Sequence, residues 1–593
     1  MTTRPYIRLV AVASLCAFAS ACDLEQSPVS ATNQQSVFSS EAGLQLYANS
    51  FTNTWPSVNS VYVGDDVSDY IAARGASNYL LPTFTPNNQG GWSWSALRNI
   101  NFFLESNTDP AVPEATRNHY NGLARFARAL FYFDKVKTYG AVPWIDKPIA
   151  ITDTAALFAG RDSRDMVMGH VLEDLDYAIA NIRTVTSASR TEVTKDVARA
   201  FKSRITLYEG TFRKYHAGGL ASGLGNTANT WLTQAATAAQ EVITGGRYSL
   251  NTSPGTLGAY RSLFSSEAPP TNEVLLMYVM DVNLAVRHEA NWRYTSGTTG
   301  VGASFTRDFI NTYLMADGTP FTDRPGYDTL SFMSEMKGRD PRLQQTIRMG
   351  DFKRLNAGTP VASPPAFTVT LTGYQPIKWT IDDIGLDAGA NNTNDIPIIR
   401  YAEVLLNLAE AKAELGLLTD ADWQRTVGAL RARAGITGGL SSRPTRADPY
   451  LQSVYFPGLT DPSLLEIRRE RGIELALEGL RWDDLMRWKR GELLARPWRG
   501  MYVNANRYYD LNEDGVQDVY FHTGTVPSPS IPGVVYHNIT AGNSSQRSLQ
   551  NGTFGLLQWQ MNIVRVWNER LYLRPIAASD LVVNAKLGQN PGW

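Results

Sequence analysis

Cysteine is almost missing from this 593-residue chain: Cys16 and Cys22 are the two present, both at the N-terminus. The six histidines are scattered, and no Cys-x-x-Cys or His-x-x-x-His spacing offers a zinc site. A Gly-x-Ser-x-Gly elbow and a phosphate-binding glycine loop are also lacking, so the usual enzyme motifs are missing. Excess charge of one sign is absent too, since 55 basic and 56 acidic side chains give a formal charge of -1. Without a basic footprint, a nucleic-acid partner has little support. Beyond the N-terminus no run of about 18 apolar residues could form a membrane-spanning helix. What is present is ordinary globular material, 43% hydrophobic and 19% charged, enough for a large core. Aromatics are somewhat rich at 11%, with 14 Trp and 27 Tyr, and many stand in polar stretches, a context that suits carbohydrate.

Arg4 and Arg8 precede the apolar stretch Leu9 to Phe18, which has the length of a signal-peptide core and is too short to cross a bilayer. Ala19-Ser20-Ala21 then leads into Cys22, similar to a bacterial lipoprotein cleavage box, although Ala19 stands where Leu is commoner. Residues 1–21 are thus expected to be removed, leaving Cys22 as a lipidated N-terminus and no cysteine pair for a disulfide. Two or more acyl chains there would tether the protein stably to a membrane. The polar residues after Cys22, up to position 40, read as a flexible tether.

From Pro113 to Tyr139, Leu123, Phe126, Leu130, Phe133 and Val136 recur at helical steps, and Gly140 and Pro143 end the segment. Further helices are expected from near Asp162, after Thr194 and over about Trp231 to Ile243, the last with small residues that permit close neighbours. Between about Leu250 and Pro397 the helical period fades, with short alternating pieces such as Phe367 to Leu371 reading as strand. Helix returns at Ile398 to Leu415, Trp423 to Ala434 and Leu464 to Lys489, the last opened by an Asp461-Pro462 cap. Pro527 to Gly555 reads as exposed loop. The expected class is mostly α, with helices in tandem pairs that suggest a tetratricopeptide-like array and a long irregular, loop-rich section with a few short strands.

Glu470, Glu474 and Glu478 share one helical face, and paired carboxylates are the machinery of glycoside hydrolysis. Arg471 and Arg481 are interleaved with them, which favours a structural charge row. Asp510, Asn512, Asp514, Gly515 and Asp518 reproduce most of an EF-hand-type loop and suggest structural calcium. Phe521 occupies the place of the bidentate Glu, however, and an Asx-rich turn is the alternative. For a sugar, whose CH face stacks on a ring, the best candidates are Trp92 and Trp94; two-residue spacing in an extended segment points both rings one way. Asp65, Asp66 and Asp69 lie nearby in sequence as hydroxyl acceptors, and Trp292 and Tyr294 repeat the spacing. Packing in a satellite core competes with binding for each ring.

Several separated segments resemble the SusD/RagB family in the same order: Ala124 to Pro143, Arg400 to Lys412, Ala429 to Gly435, Glu470 to Gly491, Leu571 to Ile576 and Gln589 to Trp593. The resemblance implies one mostly α domain over residues 41–593, with about four helix pairs of tetratricopeptide type supporting an irregular, loop-rich ligand-binding face, an N-terminal part to about 300 and the SusD/RagB part after it. It further implies a non-catalytic nutrient-binding lipoprotein that captures oligosaccharide on the outer-membrane surface for a TonB-dependent β-barrel transporter. Two rival readings remain: a secreted glycoside hydrolase using Glu474 and Glu478, and a scaffold that binds only protein.

Overall fold

The computed structural model describes residues 37–184, 188–297, 302–542 and 546–593. Cys22 and the signal segment lie outside these. The chain is helix-rich with a few short strands, as expected.

The N-terminal part is a stack of helices: α1 (Ser95–Ser106), α2 (Glu114–Tyr139), α3 (Arg164–Asn181), α4 (Lys195–Tyr215) and α5 (Ala228–Thr244). Their ends follow local chemistry. The Ser163 and Thr194 side chains accept from the Met166 and Val197 amides and so cap α3 and α4. Gly140 closes α2 at φ 76°, a conformation that costs glycine nothing. Each helix packs on the next, and Gly210 of α4 lets Leu232 of α5 approach closely, where a Cβ would collide. Phe126, Phe133, Val136, Val171, Leu175, Val197, Phe201 and Ile205 form the apolar seam between them.

Two helices from the second half, α6 (Tyr401–Glu414) and α7 (Pro462–Glu474), extend the stack, α6 against α5 and α7 against α6. This succession is compatible with tetratricopeptide-like pairing. Asp461 caps α7 through the Ser463 and Leu464 amides, with Pro462 in the first turn. The expected helix from Leu464 to Lys489 is broken, however, and resumes only as α8 (Arg481–Arg487). Leu477 and Gly479 have positive φ at the break, and a Cβ on Gly479 would run into the Ser60 carbonyl. Ile398 to Arg400 also departs from expectation: β2 (Ile396–Arg400) pairs antiparallel with β1 (Val274–Tyr278) before α6 begins. Five buried residues in a row satisfy a covered strand as well as a helix.

Phe367 to Leu371 is a turn rather than a strand, with Phe367, Val369 and Leu371 buried. The expected loop of Pro527 to Gly555 instead contributes strands to two small sheets. Trp498–Asn504, Phe554–Trp559 and Arg547–Leu549 form one. Arg507–Tyr509, Val519–His522 and Val535–Asn538 form the other. Their inner faces join a second large core around Trp379, Phe305, Phe309 and Trp488. Among the described residues no helix is long and apolar enough to cross a membrane.

Candidate ligand-binding cavity

Gly91, at φ 91°, turns the chain before Trp92 and Trp94, and its carbonyl accepts a 2.8 Å hydrogen bond from the Lys135 ammonium of α2. The two indoles meet edge to face, with centroids 5.2 Å apart. Trp92 also meets the Tyr139 ring edge-on at 5.0 Å, and Trp94 leans on Phe131 at 5.6 Å. Both indoles remain half-buried and face one cavity of about 460 Å³. The extended spacing therefore places both rings on one wall.

The opposite walls come from distant parts of the chain: Pro143 to Ile149, Leu157 and Phe158, and Asp580, Val583 and Asn584. Hydrogen bonds hold these walls in place. Asn101 donates to the Ile145 carbonyl at 2.8 Å, Arg98 to Ile149 at 3.1 Å and Asn584 to Ala159 at 2.9 Å. Behind them Arg128 grips Asp174 with two bonds of 2.7 and 2.9 Å. The lining is mostly apolar, with Arg98, Lys147 and Asp580 supplying charge, and so resembles sites that seat a ring on aromatics and fix it by a few polar groups. Leu157, Phe158 and Val583 are exposed at this cavity, and Ile151 and Val582 beside them in sequence are each 87% exposed.

The other predicted site residues lie elsewhere. Asp65 is buried, accepts from the Arg481 amide at 3.1 Å, and burial pushes its carboxyl up to about 7. Asp69 forms two 2.8 Å bonds with Arg481, and Asp66 pairs with Arg293. Asp66 and Asp69 are thus tied to arginine side chains and Asp65 to a backbone amide, and none of the three lines the tryptophan cavity. Trp292 and Tyr294 sit on the short helix Ala290–Thr295, where two-residue spacing sends side chains to opposite faces. Tyr294 is fully buried and donates to the Tyr62 carbonyl at 2.5 Å.

In the Asp510 to Asp518 loop the carboxylates turn onto backbone amides. Asp510 accepts from Asn512 at 3.2 Å and Asp514 from Val516 at 2.8 Å, the two-residue step of Asx turns, while Asp510 also accepts from Gly515 at 2.8 Å and Asp518 from Leu511 at 2.7 Å across the loop. Phe521 is buried in a strand, so no side-chain oxygen closes the loop. Among the described residues no group of three or more His, Cys, Asp or Glu is disposed to hold a metal.

Glu470, Glu474 and Glu478 are bound into a buried charge lattice. Arg342 donates to Glu470 at 2.5 Å and to Glu474 at 2.9 Å, Arg400 donates to Glu474 at 2.6 Å, and Arg433 pairs with Glu474 as well. Glu478 receives Lys378 and Arg400, each at 2.7 Å. Burial alone would raise the Glu474 pKa, but Arg433, Arg400 and Arg342 hold it well below the usual carboxylate range. A group so sealed and so acidic has no proton to give and no path to a substrate, which removes the basis for the hydrolase reading at these positions.

The Pro143 to Ile149, Leu157 to Phe158 and Asp580 to Asn584 walls carried no motif in the sequence; exposed apolar residues in loop context were the one available signal.

A family model described as the SusD family matches residues 272–593, more than half of the chain. A SusD-like protein P2 from Formosa agariphila is 25% identical over 516 residues, covering 83% of this chain and 92% of that protein. Among solved structures, a SusD-like protein from Bacteroides fragilis superposes with a TM-score of 0.68 at 22% identity, covering 96% of this chain and all of that one. A SusD-like carbohydrate binding protein from the same species gives 0.67 at 20% identity, covering 93% and 99%. At those identities the likeness of the two structures is one of fold.

Proposed function

This chain belongs to the SusD family, and from that premise we propose that it is a glycan-binding protein whose Trp92–Trp94 cavity captures an oligosaccharide. The carrying observation is the pair of half-buried indoles on one wall of a preformed cavity. Stacking on such rings stabilises a sugar by removing its apolar CH face and the ring from water together. A relative named as carbohydrate binding shares the fold, which supports the class of ligand. Calorimetry of residues 22–593 against a panel of oligosaccharides tests the reading. Trp92→Ala and Trp94→Ala should each weaken binding about tenfold, as expected for anchors of a small interface, while circular dichroism stays unchanged. Wild-type affinity in both variants would refute it.

The fate of the ligand follows from the family and the sequence. The protein is proposed to be a lipoprotein anchored through Cys22 on the outer-membrane surface, passing sugar to a TonB-dependent barrel without chemistry of its own. Exposed Ile151, Phe158, Val582 and Val583 by the cavity are a surface that such a partner would cover. Cys22→Ala should release the protein from the membrane fraction, and Val582→Glu with Val583→Glu should abolish co-purification of the barrel.

A further inference from the structure

Behind the Trp92–Tyr139 contact lies a second cavity of about 300 Å³, polar rather than apolar, whose wall includes Gly90 and Gly91, the residues that lead into Trp92. Its charges are unevenly answered. Lys137 is bound to Asp483 at 2.8 Å, with Asp134 at 3.8 Å. Lys135 is only 7% exposed and makes one hydrogen bond, to the Gly91 carbonyl. Of the three donors on its ammonium, two are left over. Among the described residues no carboxylate comes within ion-pair reach of it; Arg574, at the exposed rim of the cavity with its guanidinium over the Tyr79 ring at 4.9 Å, also has no carboxylate partner but is open to water. Rings of Phe131, Trp94 and Tyr139 stand 5.3 to 5.8 Å from the Lys135 nitrogen. Such ring contacts return less than the hydration a buried cation gives up. Every other deeply buried lysine described, Lys378 and Lys202, has its carboxylate.

We propose that this cavity is an anion-accepting subsite, in which Lys135 and Arg574 receive a carboxylate or sulfate ester borne by the captured sugar. The inference rests on the sugar-binding reading and adds to it that the ligand is acidic. Calorimetry with the full mature chain compares galactotriose, trigalacturonate and a monosulfated galactotriose. One charged trimer is expected to bind at least tenfold tighter than the neutral one, and which does so separates carboxylate from sulfate. Arg574→Gln should cut that advantage and leave the neutral affinity unchanged; Lys135→Met should erase it. Equal affinity for neutral and charged trimers overturns the subsite while sparing the sugar reading, and so does an advantage that survives both substitutions. Should none of the three bind, the sugar reading fails at this test and the subsite is judged on ions alone. Sodium sulfate must then raise the wild-type melting temperature above the value in chloride of equal ionic strength, and do so less in Lys135→Met; equal shifts overturn it. Lys135→Met should itself melt no lower than wild type, since a lysine kept only for its bond to Gly91 would destabilise the fold when lost.

Discussion

Around Glu474 and around Trp92 the molecule treats polar and aromatic groups in opposite ways. In the first region Glu273, Glu470, Glu474 and Glu478 each meet at least two cationic side chains, and the ions are sealed from water. In the second, two indoles are left half-open on a cavity, and the buried cation Lys135 has no carboxylate within ion-pair distance among the described residues. A region whose ions are paired with one another and closed to water has little to offer a ligand. Dense charge in the sequence therefore marks the frame of this protein, and the unfinished contacts mark the face proposed to bind.

The contrast can be broken most severely at the charge lattice. Glu474→Ala would leave Arg342, Arg400 and Arg433 buried with one fewer anion, and should cost roughly 3–5 kcal/mol in guanidinium unfolding. Little change there would mean that water reaches the lattice.

Next comes Glu410, buried and bonded to Arg487 at 2.5 and 2.7 Å. Burial raises its pKa, but Arg487, with Arg471 and Arg468 behind it, pulls it down to about 2. The folded value lies below the ordinary one near 4.3, so the stabilisation is complete above that pH and is lost as pH falls toward 2. It amounts to about 3 kcal/mol. Glu410→Gln should lower neutral-pH stability and flatten the acid limb of a stability-versus-pH curve.

At the cavity the same measurement should barely respond. Trp92→Ala removes a half-buried ring at a loop and should cost about 1 kcal/mol while the ligand is lost, the reverse of the Glu474 outcome. Smallest of all is the Asp510 loop: its carboxylates already bond amides, so chelating calcium should leave the melting temperature unmoved. A gain on adding calcium would establish a metal site there.

The long helices were legible because their signals are local. Thr194, Ser163 and Asp461 cap within three residues, and Phe126 to Val136 repeats at helical steps. Strand Ile396–Arg400 was not, since an unbroken apolar run carries no period to separate strand from helix. Trp92 and Trp94 were legible as a pair because the segment is extended. Trp292 and Tyr294 looked alike only because the short helix that holds them leaves little trace in sequence. Asp65, Asp66 and Asp69 misled for a different reason: their partners, Arg481 and Arg293, lie more than two hundred residues away. Proximity along the chain says nothing about such pairs.

One wall of the tryptophan cavity is written near residue 92 and another near residue 583. During synthesis the first must therefore wait for almost the whole polypeptide before its counterpart exists. Contacts of such wide sequence separation form late and slowly, so a nascent or truncated chain has tryptophans but no receptor. The recognition proposed for this cavity would switch on only with completed folding, and a fragment carrying Trp92 and Trp94 alone should be blind to sugar.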